Sequence, residues 1–229
     1  MARRGGLLAA FIVVALIGVP AHGWADNTQD LAPHVATVMN NETIASFYNQ
    51  CPADIFEDRA NLMTLALGTT TEDRHTECSK DLGDCIDRCI TNSAPGYCFY
   101  GARILQIAED EIGTESSDRL FAFACAVGSA AGCTNRAAAT RSGRAVNDDL
   151  RALPKAERER CTTRSFILAC DKLDPWGCTM AGESHADGIG TPKDLPAAQA
   201  AFEKACGLSH EEFAACRSAR WMADFYAKQ

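Results

Sequence analysis

Apolar residues recur at helical spacing along most of this chain, and short polar, glycine or proline clusters punctuate them. Near the C-terminus Leu195, Ala198, Phe202 and Ala205 fall on one helical face behind Asp194, a good N-cap, with Pro196 tolerated in the first turn. Ahead of them a turn carrying Pro175 and Gly177 feeds a helix of small residues, with Ala181 and Gly182, that stops at Gly188 and Gly190. The pair predicts a helix hairpin.

The same pattern runs upstream. Leu31, Val35, Val38 and Met39, then Ile44, Phe47 and Tyr48, predict one or two helices over 26–50 that cap the N-terminal end of a stack. Ile55, Leu62, Leu65 and Ala66 predict a helix over about 55–67, followed by a turn at 68–73 and a second helix running to Cys89. Helices over 98–112 and 117–125 form the next hairpin, through Gly101, Ala102, Leu105 and Ala108 on one and Leu120, Phe121 and Ala124 on the other. After Cys133 a helix leads into an insertion at 142–154, whose Leu150 and Leu153 extend that helix or fold over it. Cys216, Ala219, Trp221, Met222, Phe225 and Tyr226 alternate with Arg217, Arg220, Asp224 and Lys228. This predicts an amphipathic C-terminal cap over 217–229, with a partner-binding helix as the sharper alternative.

The hairpins are repeats. Cysteines closing second helices stand at 51, 89, 125, 170 and 206, with gaps of 38, 36, 45 and 36. Those opening the following first helices stand at 98, 133, 178 and 216, with gaps of 35, 45 and 38. Phe47, Phe121, Phe166 and Phe202 each precede a ladder cysteine by four residues, and Cys85 takes the place of that Phe ahead of Cys89. Asn61 and Leu62 stand where the ladder would put a partner for Cys51, so that rung is missing. The period predicts an all-α solenoid of disulfide-linked helix hairpins over 51–216.

Gly188-Ile-Gly190, Asp194, Phe202-Glu-Lys-Ala-Cys206 and the Cys-x7-Cys step resemble Sel1-like repeats of the cysteine-rich kind found in secreted bacterial proteins. Cysteine-rich assembly factors of the mitochondrial intermembrane space are a related set. The resemblance spans roughly Phe47 to the C-terminus. The repeats opened by Cys98 and Cys133 keep the cysteines and the Phe column without the Gly-x-Gly turn. It implies a Sel1/TPR-like superhelix and an adaptor role in protein assembly.

Residues 1–25 open on Arg3 and Arg4, continue through an apolar run to Ile17 and end Gly23-Trp24-Ala25. This reads as a cleaved secretory signal, with an uncleaved membrane anchor as the alternative. In an exported chain an even-numbered, regularly spaced set of 12 cysteines reads as a disulfide framework, whereas in a cytosolic one it would suggest metal. The expected location is therefore the periplasm or the exterior, without a stable membrane span. The ladder predicts Cys89–Cys98, Cys125–Cys133, Cys170–Cys178 and Cys206–Cys216. Cys51, Cys78, Cys85 and Cys161 remain, with three possible connectivities. Cys51 is the nearest plausible partner for Cys85, and free thiols at Cys78 and Cys161 are the alternative.

The chain has 22 basic and 30 acidic residues, net −8, and loss of Arg3 and Arg4 takes it to −10. This excludes nucleic-acid binding and suits a cationic partner. No Cys-x-x-Cys, Ser-x-x-Lys, Gly-x-Ser-x-Gly or His-x-x-x-His occurs, and no metal or cofactor is expected. Three functions compete. A scaffold would use the concave face for a protein or peptide partner, through Arg103, Gln106, Arg136, Glu183 and His185, one turn into the first helices on the exposed side. The resemblance also implies penicillin binding or slow β-lactam hydrolysis, a label given to some secreted relatives. A redox or cofactor-delivery helper in assembly would rest on unpaired cysteines. For His185 a packed, hydrogen-bonded histidine competes with a ligand or base.

Overall fold

The computed structural model describes residues 31–57, 71–106, 111–144 and 149–228. The predicted signal, the proposed Asn61/Leu62 gap and most of the helix expected over 55–67 lie outside them. The described residues hold thirteen helices and no strand.

Ladder cysteines and glycines set where the hairpins cross. Three complete hairpins pair α6 (Pro95–Leu105) with α7 (Glu111–Ala126), α8 (Ala130–Ser142) with α10 (Lys155–Asp171), and α11 (Pro175–Asp187) with α12 (Leu195–Gly207). Ahead of them α5 (Leu82–Asn92) packs on α6, and after them α13 (Ala214–Tyr226) packs on α11 and α12. The result is a solenoid-like stack of consecutive helices. The first hairpin differs from expectation at its turn. α6 ends at Leu105, and Glu111 and Ile112 belong to α7 rather than to the first helix.

Caps fix the starts. Ser129, Asp174 and Asp194 each accept from the N–H three residues on, as predicted for Asp194, and Gly188 closes α11 at φ +72°. Phe121, Phe166 and Phe202 of the predicted column are buried. Full burial of such side chains contributes about 1.5–3 kcal/mol each. Threonines tie neighbouring hairpins together. Thr134 Oγ1 donates to Asp174 at 2.6 Å, and Thr179 Oγ1, at the same place one repeat on, donates to the Ala215 carbonyl at 3.1 Å.

All 12 cysteines are paired. Four bridges join Cys89–Cys98, Cys125–Cys133, Cys170–Cys178 and Cys206–Cys216, each tying a second helix to the next first helix. The other four differ from expectation. Cys85 bonds Cys78, not Cys51, and neither Cys78 nor Cys161 is a free thiol. The reason is a break in the predicted second helix. α4 (Thr71–Lys80) ends and Asp81 caps α5. Seven residues along one unbroken helix would span about 10 Å, beyond disulfide reach. The break brings the two Cα atoms to 5.1 Å.

Cys51 reaches Cys161 across 110 residues. Around Cys51 the chain runs over several hairpins. α1 (Ala32–Met39) lies on α5 and α7, but α2 (Glu42–Tyr48) packs on α7, and α3 (Pro52–Glu57) runs across α7, α8 and α10. The Ala53 N–H donates to Ser165 Oγ at 3.1 Å, and Arg164 pairs with Asp54. The insertion folds back as α9 (Asp149–Ala152), placing Leu150 against Cys51, Ala53 and Cys161. It therefore covers the long bridge.

Candidate interaction surface

Counting from the cysteine that opens each first helix places equivalent positions side by side. Five residues on stand Arg103, Ala138, Glu183 and Trp221, and nine on stand Ser142, Asp187 and Phe225. α11 touches α8 on one side and α13 on the other, so from Ala138 onward these positions form a lane along the stack, and Arg103 holds the equivalent place on α6.

The five predicted binding residues do not all reach this lane. Arg103 is exposed and donates to Gln106 at 3.0 Å, so these two act together at the α6 end. Glu183 is half-buried and pairs with Arg141 at 3.1 Å. Arg136, expected on the exposed side, is fully buried. Its guanidinium donates to the Tyr48 carbonyl at 2.7 Å and to Thr140 at 3.2 Å, because the end of α2 reaches it there. His185 is part-buried, and its Nδ1 has no hydrogen-bond partner among the described residues. Its backbone carbonyl accepts from the Asp194 N–H.

Residues outside the predicted five complete the surface. Arg141 of α8 also donates to Ser184 at 3.4 Å, joining α8 to α11. Tyr226 of α13 has its phenol pushed up to about 12 by burial first, then by the carboxylates of Asp187 and Glu183 nearby. The Tyr226 ring stacks on Phe202 and meets Phe225 edge-on at 5.2 Å. Phe225 in turn stacks on Trp221 at 5.8 Å between centroids and 15° between planes. Trp221 is 65 % exposed and Phe225 49 %. The amphipathic pattern of α13 marked these aromatics without giving their direction. Repeat register supplies it, since they occupy the places of Glu183 and Asp187.

Open clefts among the described residues lie away from the predicted residues. One of about 490 Å³ lies between α2, α5 and α7, and two of about 280 and 270 Å³ flank Phe202 between α12 and α13. Among the described residues no group of three or more His, Cys, Asp or Glu side chains is placed to hold a metal ion. None of their helices is long and apolar enough to cross a membrane. Six disulfides point to an oxidising compartment. In comparisons with protein-family models and with curated proteins, nothing matches the chain.

Proposed function

We propose that the chain is an exported, periplasmic or secreted scaffold of Sel1-like repeats whose inner lane binds a protein or peptide partner. The observation that supports this best is the run of equivalent first-helix positions ending in an exposed aromatic pair, Trp221 and Phe225. A surface that presents side chains at regular intervals suits an extended ligand. Disulfide rungs hold the spacing where small residues leave a thin core. The redox-helper reading loses its only support, because every cysteine is bonded.

The test is site-specific photo-crosslinking in the compartment to which the chain is exported. A photoreactive residue replaces Arg103, Ala138 or Trp221 in turn, with Lys155 and Glu203 on second helices as controls. A discrete adduct from lane positions and none from the controls is expected. Equal labelling from both sets overturns the reading. Chromogenic β-lactam turnover should not exceed that of reduced, heated protein. Saturable turnover lost on unfolding would establish the hydrolase instead.

A further inference from the structure

The scaffold reading leaves the partner's chemistry open, and the α11–α13 end of the lane narrows it. Two large aromatic side chains this exposed are unusual on a surface where charged residues would serve solubility. Capping does not require them. The positions of α13 equivalent to Gly182 and Ala186, which face α12 in the preceding repeat, are held by Arg220 and Asp224, and both are exposed. The end face is thus already polar, and Trp221 and Phe225 lie beside it on the lane.

Three of the four cations around the pair are engaged elsewhere, and the fourth, exposed Lys228, follows Phe225 by three residues. Arg217 donates to the Glu212 carbonyl and Arg220 pairs with Glu211 at 2.6 Å, which draws both guanidinium groups toward the turn before α13. Arg141 is engaged by Glu183. On the other side α11, which carries Asp187, packs on α13, and ring contacts run from Tyr226 to Phe225 and from Phe225 to Trp221. Asp224 stands three residues after Trp221 and is exposed, so it shares that side of the helix. Near-parallel aromatic rings next to two carboxylates attract a cation through the ring quadrupole and through charge. A guanidinium adds planar stacking and paired donors that an ammonium lacks. The chain's net charge of −8 draws such a partner in.

Resting on the scaffold reading, we propose that Trp221 and Phe225, flanked by Asp187 and Asp224, form a seat for an arginine side chain of an extended peptide partner.

The test uses the full, disulfide-bonded protein and capped hexapeptides alternating glycine with arginine, lysine, leucine or glutamate. Indole N–H resonances report binding, with Trp176, at the start of α11, as an internal reference. The arginine peptide should shift the Trp221 signal saturably and leave Trp176 unmoved. The lysine peptide should bind several-fold more weakly, and the glutamate peptide should not bind. Asp187→Asn with Asp224→Asn should weaken the arginine peptide about five- to tenfold, and 0.5 M salt should weaken it further. Trp221→Ala should abolish binding with six disulfides and helicity intact. Leucine peptide binding as tightly as arginine, or an unchanged affinity in the double Asn variant, overturns the seat. So does a dimer in sedimentation that Trp221→Ala dissolves, since the occupant is then a second copy. A lane-specific crosslinked partner with no arginine-peptide binding defeats this inference alone, whereas absence of lane-specific crosslinks defeats the scaffold reading.

Discussion

The Arg136 guanidinium lies 4.4 Å from the centre of the Tyr48 ring while donating to the Tyr48 carbonyl at 2.7 Å. One buried side chain thereby holds α2 onto α8 across 88 residues of sequence. Removing it leaves a buried carbonyl short of a donor and opens a cavity under the ring. Arg136→Ala should cost about 2–4 kcal/mol in chemical denaturation. It should also expose 41–50 to limited proteolysis ahead of the rest. Arg136→Lys keeps a charge but not the fork that reaches Tyr48 and Thr140 together, and should fall between. An alanine variant with wild-type stability and protection would show that α2 is held by other contacts.

The six bridges should not be equal. Cys51–Cys161 closes a loop of 110 residues, and Cys78–Cys85 one of 7. Chain-entropy reasoning makes the long bridge worth about 2 kcal/mol more than the short one, even with smaller loops nested inside it. The paired variant Cys51→Ala with Cys161→Ala should therefore lower the denaturation midpoint further than Cys78→Ala with Cys85→Ala. Equal losses would locate the stabilisation in native-state contacts, such as the packing of Leu150 on the long bridge.

These two relationships mark the limit of what periodicity carries. A repeat records contacts between neighbours, because each hairpin must match the next. Hence the four rungs, the Phe column, the Asp194 cap and the Gly188 stop were legible in residue spacing. Cys51–Cys161 and Arg136–Tyr48 join residues 110 and 88 apart, where nothing recurs. Arg136 read as exposed because it sits one turn into a first helix, whereas Tyr48, at the end of α2, lies against it. Asp81, a strong N-cap, was the one local signal that α4 and α5 are separate helices. Trp221 and Phe225 were visible as residues, but their place on the lane depends on register from Cys216.

Two glycines of the third hairpin are tests of close packing. A Cβ at Gly182 would lie 2.4 Å from the Phe202 ring, and one at Gly190, where φ is +66°, would lie 2.2 Å from the Glu159 carbonyl oxygen. The ring has some room to tilt, whereas a backbone carbonyl in α10 does not. Gly182→Ala should cost about 1–3 kcal/mol, and Gly190→Ala more, since it adds left-handed strain to the clash. Thermal denaturation of the two variants orders them. A milder effect at Gly190 would mean that the turn moves away from α10 freely.

Asp174 couples this stack to pH. Its carboxylate is buried, accepts from Thr134 Oγ1 at 2.6 Å and from the Gly177 N–H at 2.7 Å, and caps α11. Burial raises its pKa above the ordinary value, and the two hydrogen bonds oppose that rise without cancelling it. With the folded value above the unfolded one, folding favours the protonated acid. That contribution is complete below the unfolded pKa of about 3.9 and is lost as pH rises through the folded value. Asp174→Asn keeps a capping oxygen and does not titrate. At pH 7 it should match or exceed the wild type in stability, and as pH falls from 7 to 3 the wild type should gain on it. Asp174→Ala removes the cap and leaves Thr134 without its acceptor, so it should lose about 1–2 kcal/mol or more at every pH. Parallel urea denaturation of the three proteins across that range measures the differences and removes the acid sensitivity they share. If the wild type instead falls behind the Asn variant as pH drops, the hydrogen bonds outweigh burial, and the carboxylate is held ionised by Thr134 and Gly177.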